Sequence, residues 1–341
     1  MKSRADRAPA TELQRRGRCL CVCLAAVLLP AMLLSLCIGR YPLSPAEVVK
    51  ALFVPAQSGP AADIVCLIRL PRVCTAVLSG IALATAGLLF QLVFHHPMAT
   101  PDLLGTSSGA SFGAALGLLA GWSTAAVMAG GFVTGLLSVI PVILLAGSRR
   151  NRGTVALILT GLVTGSLFSG AVSCIKLLAD ESNRLPAITY WLMGSLSGIR
   201  ASDTVGVAAV ILPVSVLLLL IRYRLNLLDL NDDEAASLGT RIRLLRFACM
   251  LAAALLTAAS VSVCGVIGWV GLFIPNLCRA LVGEDTRMLL PCTMLAGGLF
   301  LLLADNVSRT LLITEIPLGI LTAAIGAPLF LVLYLKGRYV E

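Results

Sequence analysis

The chain has 341 residues, a net charge of +9 and only 13% charged residues, where soluble domains carry roughly 25%. Its apolar share of 58% exceeds the roughly 45–50% of soluble domains, and its mean hydropathy is +0.96. So few charges cannot cover that much apolar surface, and disorder requires low hydrophobicity; a soluble globule and a disordered chain are excluded, and an all-α polytopic membrane protein is the fold class that remains.

Residues 1–18 carry six basic side chains and lead into the apolar run 19–38. That run is longer than the roughly 7–15 residues of a signal-peptide core and has no small-residue cleavage site. It reads as an uncleaved first helix behind a basic cytoplasmic tail, with residues 19–341 as a single transmembrane domain. Nine further apolar segments follow at 70–94, 107–120, 124–146, 154–178, 203–221, 247–264, 266–282, 288–310 and 317–335. A bilayer core takes about 20 residues per helix, so about ten helices use up the chain. Ten spans put both termini in the cytoplasm. The split of Lys and Arg agrees: 18 fall on the cytoplasmic side and 8 on the other, as the positive-inside rule requires. The basic excess is thus a topological signal, and no nucleic-acid partner is expected.

The glycines suggest how the helices pack. Gly109, Gly113, Gly117 and Gly121 recur every four residues in the third segment, and Gly161 and Gly165 in the fifth; such stripes let helices approach closely. Pro141, Pro213 and Pro275 fall inside segments and are expected to kink them. The eleven cysteines lie mostly in apolar runs. Cys19, Cys21 and Cys23 read as small apolar fillers, and the absence of any C-x-x-C pair leaves no expectation of a metal or cofactor.

Several chemistries are missing. None of the four lysines follows a glycine, so the chain has no G-x-x-x-x-G-K-[ST] nucleotide loop. Residues 105–109 match G-x-S-x-G, but the only histidines, His95 and His96, precede Ser107 in the same loop. An intramembrane hydrolase is therefore disfavoured, and the histidines read as part of a polar cytoplasmic turn. An ion-coupled secondary transporter usually carries ionisable groups at mid-membrane. Here Lys176, Asp305 and Arg309 fall toward helix ends, with Asp305 and Arg309 spaced to pair on one helix face.

Eight strings in register resemble one known family: Arg69-Leu70-Pro71-Arg72; residues 96–105, HPMATPDLLG; 190–196, YWLMGSL; 234–239, EAASLG; 268–276, GWVGLFIPN; Ala304-Asp305 with Arg309; 315–319, EIPLG; and 326–330, GAPLF. From about residue 40 to the end, the chain resembles the FecCD-type permeases, the membrane subunits of ABC importers for ferric siderophores, haem and vitamin B12. It departs from the family pattern at His96, Met98, Trp269 and Asn276, which stand where Asn, Leu, Phe and His are usual.

The resemblance implies a fold like that of the vitamin B12 permease, with spans 2–5 and 7–10 forming a repeat. Their offset of five helices is odd, so the repeat would be inverted. It implies a second permease copy, with a homodimer expected, a cytoplasmic ATPase dimer that does the hydrolysis, and an extracytoplasmic substrate-binding protein. Arg69, Arg72 and Arg309 would receive acidic residues of that binding protein. Asp232, Asp233, Glu234, Ala235, Ser237, Leu238 and Gly239, in the loop 222–246, would seat in the ATPase. Thr160, Thr164, Ser166 and Ser169 are candidates to line the pathway. The expected function is import of an iron chelate across the bacterial inner membrane, with haem or vitamin B12 as the alternative within the family and an ion-coupled carrier outside it.

Overall fold

The structure, a computed structural model, describes residues 10–39, 41–54, 59–147, 154–229, 242–312 and 314–335. The expected coupling residues Asp232, Asp233, Glu234, Ala235, Ser237, Leu238 and Gly239 lie outside the described residues. Those described form helices and turns, with no strand among them. The α-helices of eight residues or more are α1 (Ala10–Cys37), α2 (Pro45–Phe53), α3 (Leu70–Phe94), α4 (Thr106–Ala120), α5 (Thr124–Leu137), α6 (Ile140–Gly147), α7 (Thr154–Leu178), α8 (Arg184–Leu192), α9 (Ala201–Leu225), α10 (Ile242–Cys264), α11 (Val270–Val282), α12 (Thr286–Thr310) and α13 (Leu318–Leu335). Among the described residues seven helical stretches are long and apolar enough to cross a membrane, and Val270–Val282 and Leu318–Val332 are shorter apolar helices.

Each of the ten expected segments holds a helix, but four details differ. The first helix reaches back to Ala10, well before Cys19, so residues 10–18 of the basic tail are helical. The fourth segment is broken between α5 and α6; Pro141 sits in the first turn of α6, where its missing N–H costs nothing, rather than kinking one long helix. The eighth segment becomes helical only at Val270. Hydropathy also gave no sign of α2 and α8, or of the π-helical turn Ile64–Arg69 that feeds α3. The short α2 starts at a capping box. The Ser44 N–H and hydroxyl donate to the Glu47 carboxylate at 2.7 and 2.8 Å, and Ser44 Oγ accepts from the Glu47 N–H at 3.3 Å. The two Ser44 donors hold the Glu47 carboxyl below its ordinary range.

The bundle is built around α3. It packs against α9, α10, α11 and α12 and has buried residues on every face. A helix apolar all round belongs inside, and α3 achieves this with small side chains. A Cβ on Gly80 would collide with the Gly297 carbonyl of α12, and one on Gly87 with the Gly271 carbonyl of α11. The stripe in α4 works similarly: Gly109 and Gly113 abut Ser138, Thr134 and Gly130, while Gly121 terminates the helix in a left-handed conformation. Gly161 and Gly165 of α7 face the turn 103–105 and the first turn of α4. Inside a bilayer, close backbone approach replaces the hydrophobic drive between helices.

Gly87→Leu is therefore expected to abolish the folded, monodisperse species on fluorescence-detected size exclusion. Gly206→Leu, at a site on α9 with nothing within 4 Å, should elute like the parent; a normal profile for Gly87→Leu would contradict this packing.

Candidate functional site

Three arginines gather where α1 ends, α3 begins and α12 ends. Arg69 donates to the carbonyls of Leu36 and Cys37 at 2.6 and 3.1 Å, and to that of Tyr41. The last carbonyls of a helix lack intrahelical partners, so Arg69 caps α1 from a distance in sequence. Arg72 forks onto two carboxylates. It reaches Asp305 through Nε at 3.0 Å and Nη2 at 2.8 Å, and Glu315 through Nη1 and Nη2, both at 3.0 Å. Arg309 donates to the carbonyl and hydroxyl of Ser35 at 2.6 and 2.5 Å and to Asn306. Its Nε lies 3.7 Å from Asp305 Oδ2, the expected spacing-of-four pair. The three arginines are only 5%, 8% and 6% exposed, and Asp305 is fully buried. Among the described residues Asp305 and Glu315 pair with Arg72 and Arg309, while Arg69 is held by backbone carbonyls alone, which leaves one positive charge in surplus.

The structure thus brings Arg69, Arg72 and Arg309 together and commits each to groups of the same chain. Sequence reasoning placed the arginines but not Ser35, Asn306 and Glu315, which satisfy them; of these, only Glu315 stood within a quoted motif.

Beside this cluster, three irregular stretches of backbone join. The Ser195 N–H donates to the Cys264 carbonyl at 2.8 Å, Leu318 N–H to Gly194 at 2.8 Å and Gly319 N–H to Met193 at 3.0 Å. The quoted strings at 190–196 and 315–319, and the irregular residues that lead into 268–276, therefore meet in one junction. Non-helical backbone survives at membrane depth only where protein satisfies it. Gly194 and Gly265 make the junction possible, with φ of +75° and +69° and no room for a Cβ beside the Val266 and Trp191 carbonyls. Trp269 enters α11 at φ +69° without being glycine, a strained conformation held where its ring packs on Gly326.

The opposite end of the bundle carries a second polar network. His95 closes α3 in a left-handed conformation, φ +51°, and its Nε2 lies 2.7 Å from the Leu228 carbonyl. Leu228 belongs to the 3-10 turn Asn226–Asp229, which leads into the loop expected to meet the ATPase. Asn276 is fully buried. It donates to the Pro97 and Leu272 carbonyls at 2.8 and 2.9 Å and accepts from Arg279 at 2.6 Å, while Arg279 also donates to Gln91 at 3.0 Å. The departure at Asn276 thus ties the loop after α3 to α11. His96 is exposed, and its Nδ1 accepts from the Met98 N–H at 3.2 Å.

Of the pathway candidates, Thr160 and Thr164 donate back to the carbonyls of Ala156 and Thr160 within α7, each at 2.8 Å. Ser166 and Ser169 are exposed, and Ser169 reaches Ser108 of α4 at 3.3 Å. The Ser107 hydroxyl donates to Asp102. No group of three or more His, Cys, Asp or Glu side chains able to hold a metal occurs among the described residues.

Fold and site together define a helical membrane protein with polar networks at its two ends. Residues 26–336 match the model of the FecCD transport family, and the chain belongs to this family of ABC-importer permeases. It is 38% identical over 317 residues to the molybdate import system permease protein MolB of Haemophilus influenzae, covering 92% of this chain and 94% of the relative. It is 39% identical over 279 residues to the hemin transport system permease protein HmuU of Yersinia pestis, covering 80% and 82%. A solved inward-facing structure of a metal-chelate type ABC transporter superposes with a TM-score of 0.85 at 38% identity, covering 93% of this chain and 98% of that one.

Arg72→Ala leaves Asp305 buried without its main partner. Removing one member of a buried pair costs about 3–5 kcal/mol, so a marked fall in the thermal midpoint of the detergent-solubilised protein is expected. Arg72→Ala with Asp305→Ala should recover part of it; a single variant as stable as the parent would contradict the geometry.

Proposed function

We propose that this chain is the permease of an importer that moves a metal-bearing chelate inward, with a ferric siderophore as the leading solute. The observation that carries the reading is the family match across residues 26–336 in a chain with no nucleotide loop: the energy must come from a separate ATPase. In this reading the chain sits in the inner membrane as a homodimer with both termini cytoplasmic, and it makes no covalent bond. The exposed face of α7, with Ser166 and Ser169 among Leu162, Val163 and Leu167, then turns toward the second copy and offers an uncharged surface to the passing solute.

The arginine cluster is the proposed docking face for the binding protein. Its surplus positive charge supports this, because a guanidinium fork pairs well with a carboxylate. A docking acid would compete with Asp305 and Glu315 for Arg72, so arrival of the binding protein would loosen the tie between α3 and α12. At the other end, Asp232, Asp233, Glu234, Ala235, Ser237, Leu238 and Gly239 are the proposed seat on the ATPase, and the His95–Leu228 contact would carry their movement to α3.

Two family readings compete on the solute. Haem or vitamin B12 would use the same machine. Molybdate has a specific observation in its favour: the molybdate permease matches 92% of this chain, the hemin permease 80%.

Uptake of labelled iron offered as ferric siderophores should disappear on deletion of this chain and return on complementation. Vanadate should block it and an ionophore should not. Glu234→Lys should insert normally yet reduce uptake at least tenfold. Iron uptake that survives deletion while molybdate uptake is lost would transfer the proposal to the oxyanion.

A further inference from the structure

A cavity of about 290 Å³ lies beside the backbone junction, between the end of α4, the start of α5, α8, the stretch 195–199 and the end of α10. It is on the same end of the bundle as the arginine cluster, because the Thr204 hydroxyl near the start of α9 donates to the Pro71 carbonyl at 3.2 Å. Three aromatic side chains, Trp122, Tyr190 and Trp191, line it. None of them stacks on another ring among the described residues, where the ring pairs are Phe90–Phe94, Phe112–Phe168 and Phe273–Phe300. Leu118 and Val127 supply aliphatic wall, and the hydroxyls of Thr124, Ser195 and Ser197 supply polar edges. No Asp, Glu, Lys, Arg or His lines it.

We propose that this cavity binds one aromatic ring of an incoming aryl-bearing chelate, with the metal-bound oxygens held at its mouth. Size sets the first limit. Pockets for whole drug-sized ligands span about 300–1,000 Å³, so 290 Å³ admits one ring with its substituents and not a corrin, a haem or a complete siderophore. Charge sets the second. An apolar lining without a cation does not repay the desolvation of an oxyanion, so the metal-bound oxygens stay at the mouth and the carbon edge of the ring enters. Unpaired aromatic faces then favour an aromatic guest, since offset or edge-to-face pairs add to the area they bury. The Thr124, Ser195 and Ser197 hydroxyls at the polar edge can donate to the ring oxygens. Ser195 is held in place, its backbone N–H on Cys264 at 2.8 Å and its hydroxyl accepting from the Ser197 N–H at 3.0 Å, so this wall exists before a guest arrives. A lipid tail would gain nothing from the hydroxyl edge.

The inference rests on the reading of the solute as a chelate, but its binding test does not require transport. Two of the three tryptophans of the chain, Trp122 and Trp191, line the cavity. Titrating catechol into the full-length permease in nanodiscs should quench tryptophan fluorescence saturably. Ala187→Phe fills the cavity from an exposed position on α8, and Thr124→Tyr fills it from an exposed position on α5. Each should raise the half-saturating concentration at least tenfold while leaving the elution profile unchanged. Linear quenching, or equal saturation in both variants, would overturn the proposal. So would quenching by bromine-labelled acyl chains that Ala187→Phe abolishes and catechol leaves untouched, which would assign the cavity to lipid. In cells, Ala187→Phe should lower uptake of a ferric tris-catecholate at least fivefold and spare a ferric trihydroxamate. Catechol binding without transport of any chelate would retain the site and overturn the chelate reading instead.

Discussion

The architecture depends on one constraint: α3 has to be surrounded by protein within the membrane. Helices in lipid gain little from burying leucine, because lipid tails are as apolar as leucine. They must come close enough for backbone to touch backbone. Gly80 against Gly297 and Gly87 against Gly271 provide that closeness at two levels, and Ala76, Ala82, Ala84 and Ala86 keep the rest of the helix slim. Polar contacts then fix its rotation. Thr75 meets Thr204 of α9 at 2.9 Å, and Ser79 meets Cys264 of α10 at 3.1 Å.

Both ends of α3 carry the polar groups that link packing to work. At one end Arg72 bridges to Asp305 and Glu315 in surroundings where an unpaired charge is expensive; at the other, His95, Gln91 and the loop that follows join α9 and α11 through Leu228, Arg279 and Asn276. A load applied at either end therefore falls on the same buried helix. In the proposed importer, one end would meet the binding protein and the other the ATPase, and α3 would be the strut between them.

The membrane class and the ten apolar segments were legible because hydropathy acts segment by segment. The pairing of Asp305 with Arg309 was legible because it is local, four residues along one helix. What was not legible depends on distance in sequence. Nothing in the string at 190–196 tells that Ser195 donates to Cys264 or that Leu318 donates to Gly194, and the three motif strings look unrelated until the backbone joins them. The arginines were visible as charges near helix ends, but Ser35 and Glu315 reach Arg309 and Arg72 from other stretches, and only Asn306 is local to its arginine. The short α8 was hidden because a nine-residue helix with a proline in its first turn has no span-length apolar signature. Asn276 stood out only as a departure, and its bond to Pro97 supplies the physical role.

The most direct test of the account is whether α3 sits against the end of α10 in a native membrane. Ser79→Cys places a thiol beside Cys264, since the Ser79 hydroxyl lies 3.1 Å from the Cys264 sulfur. Mild oxidation of membranes containing this variant should join the introduced thiol to Cys264 in a disulfide. Mass spectrometry of the linked peptides would identify it, and the link should be lost in the Cys264→Ala background. If both thiols are found fully alkylated and no linked peptide forms, α3 does not occupy the centre of the bundle and the account fails.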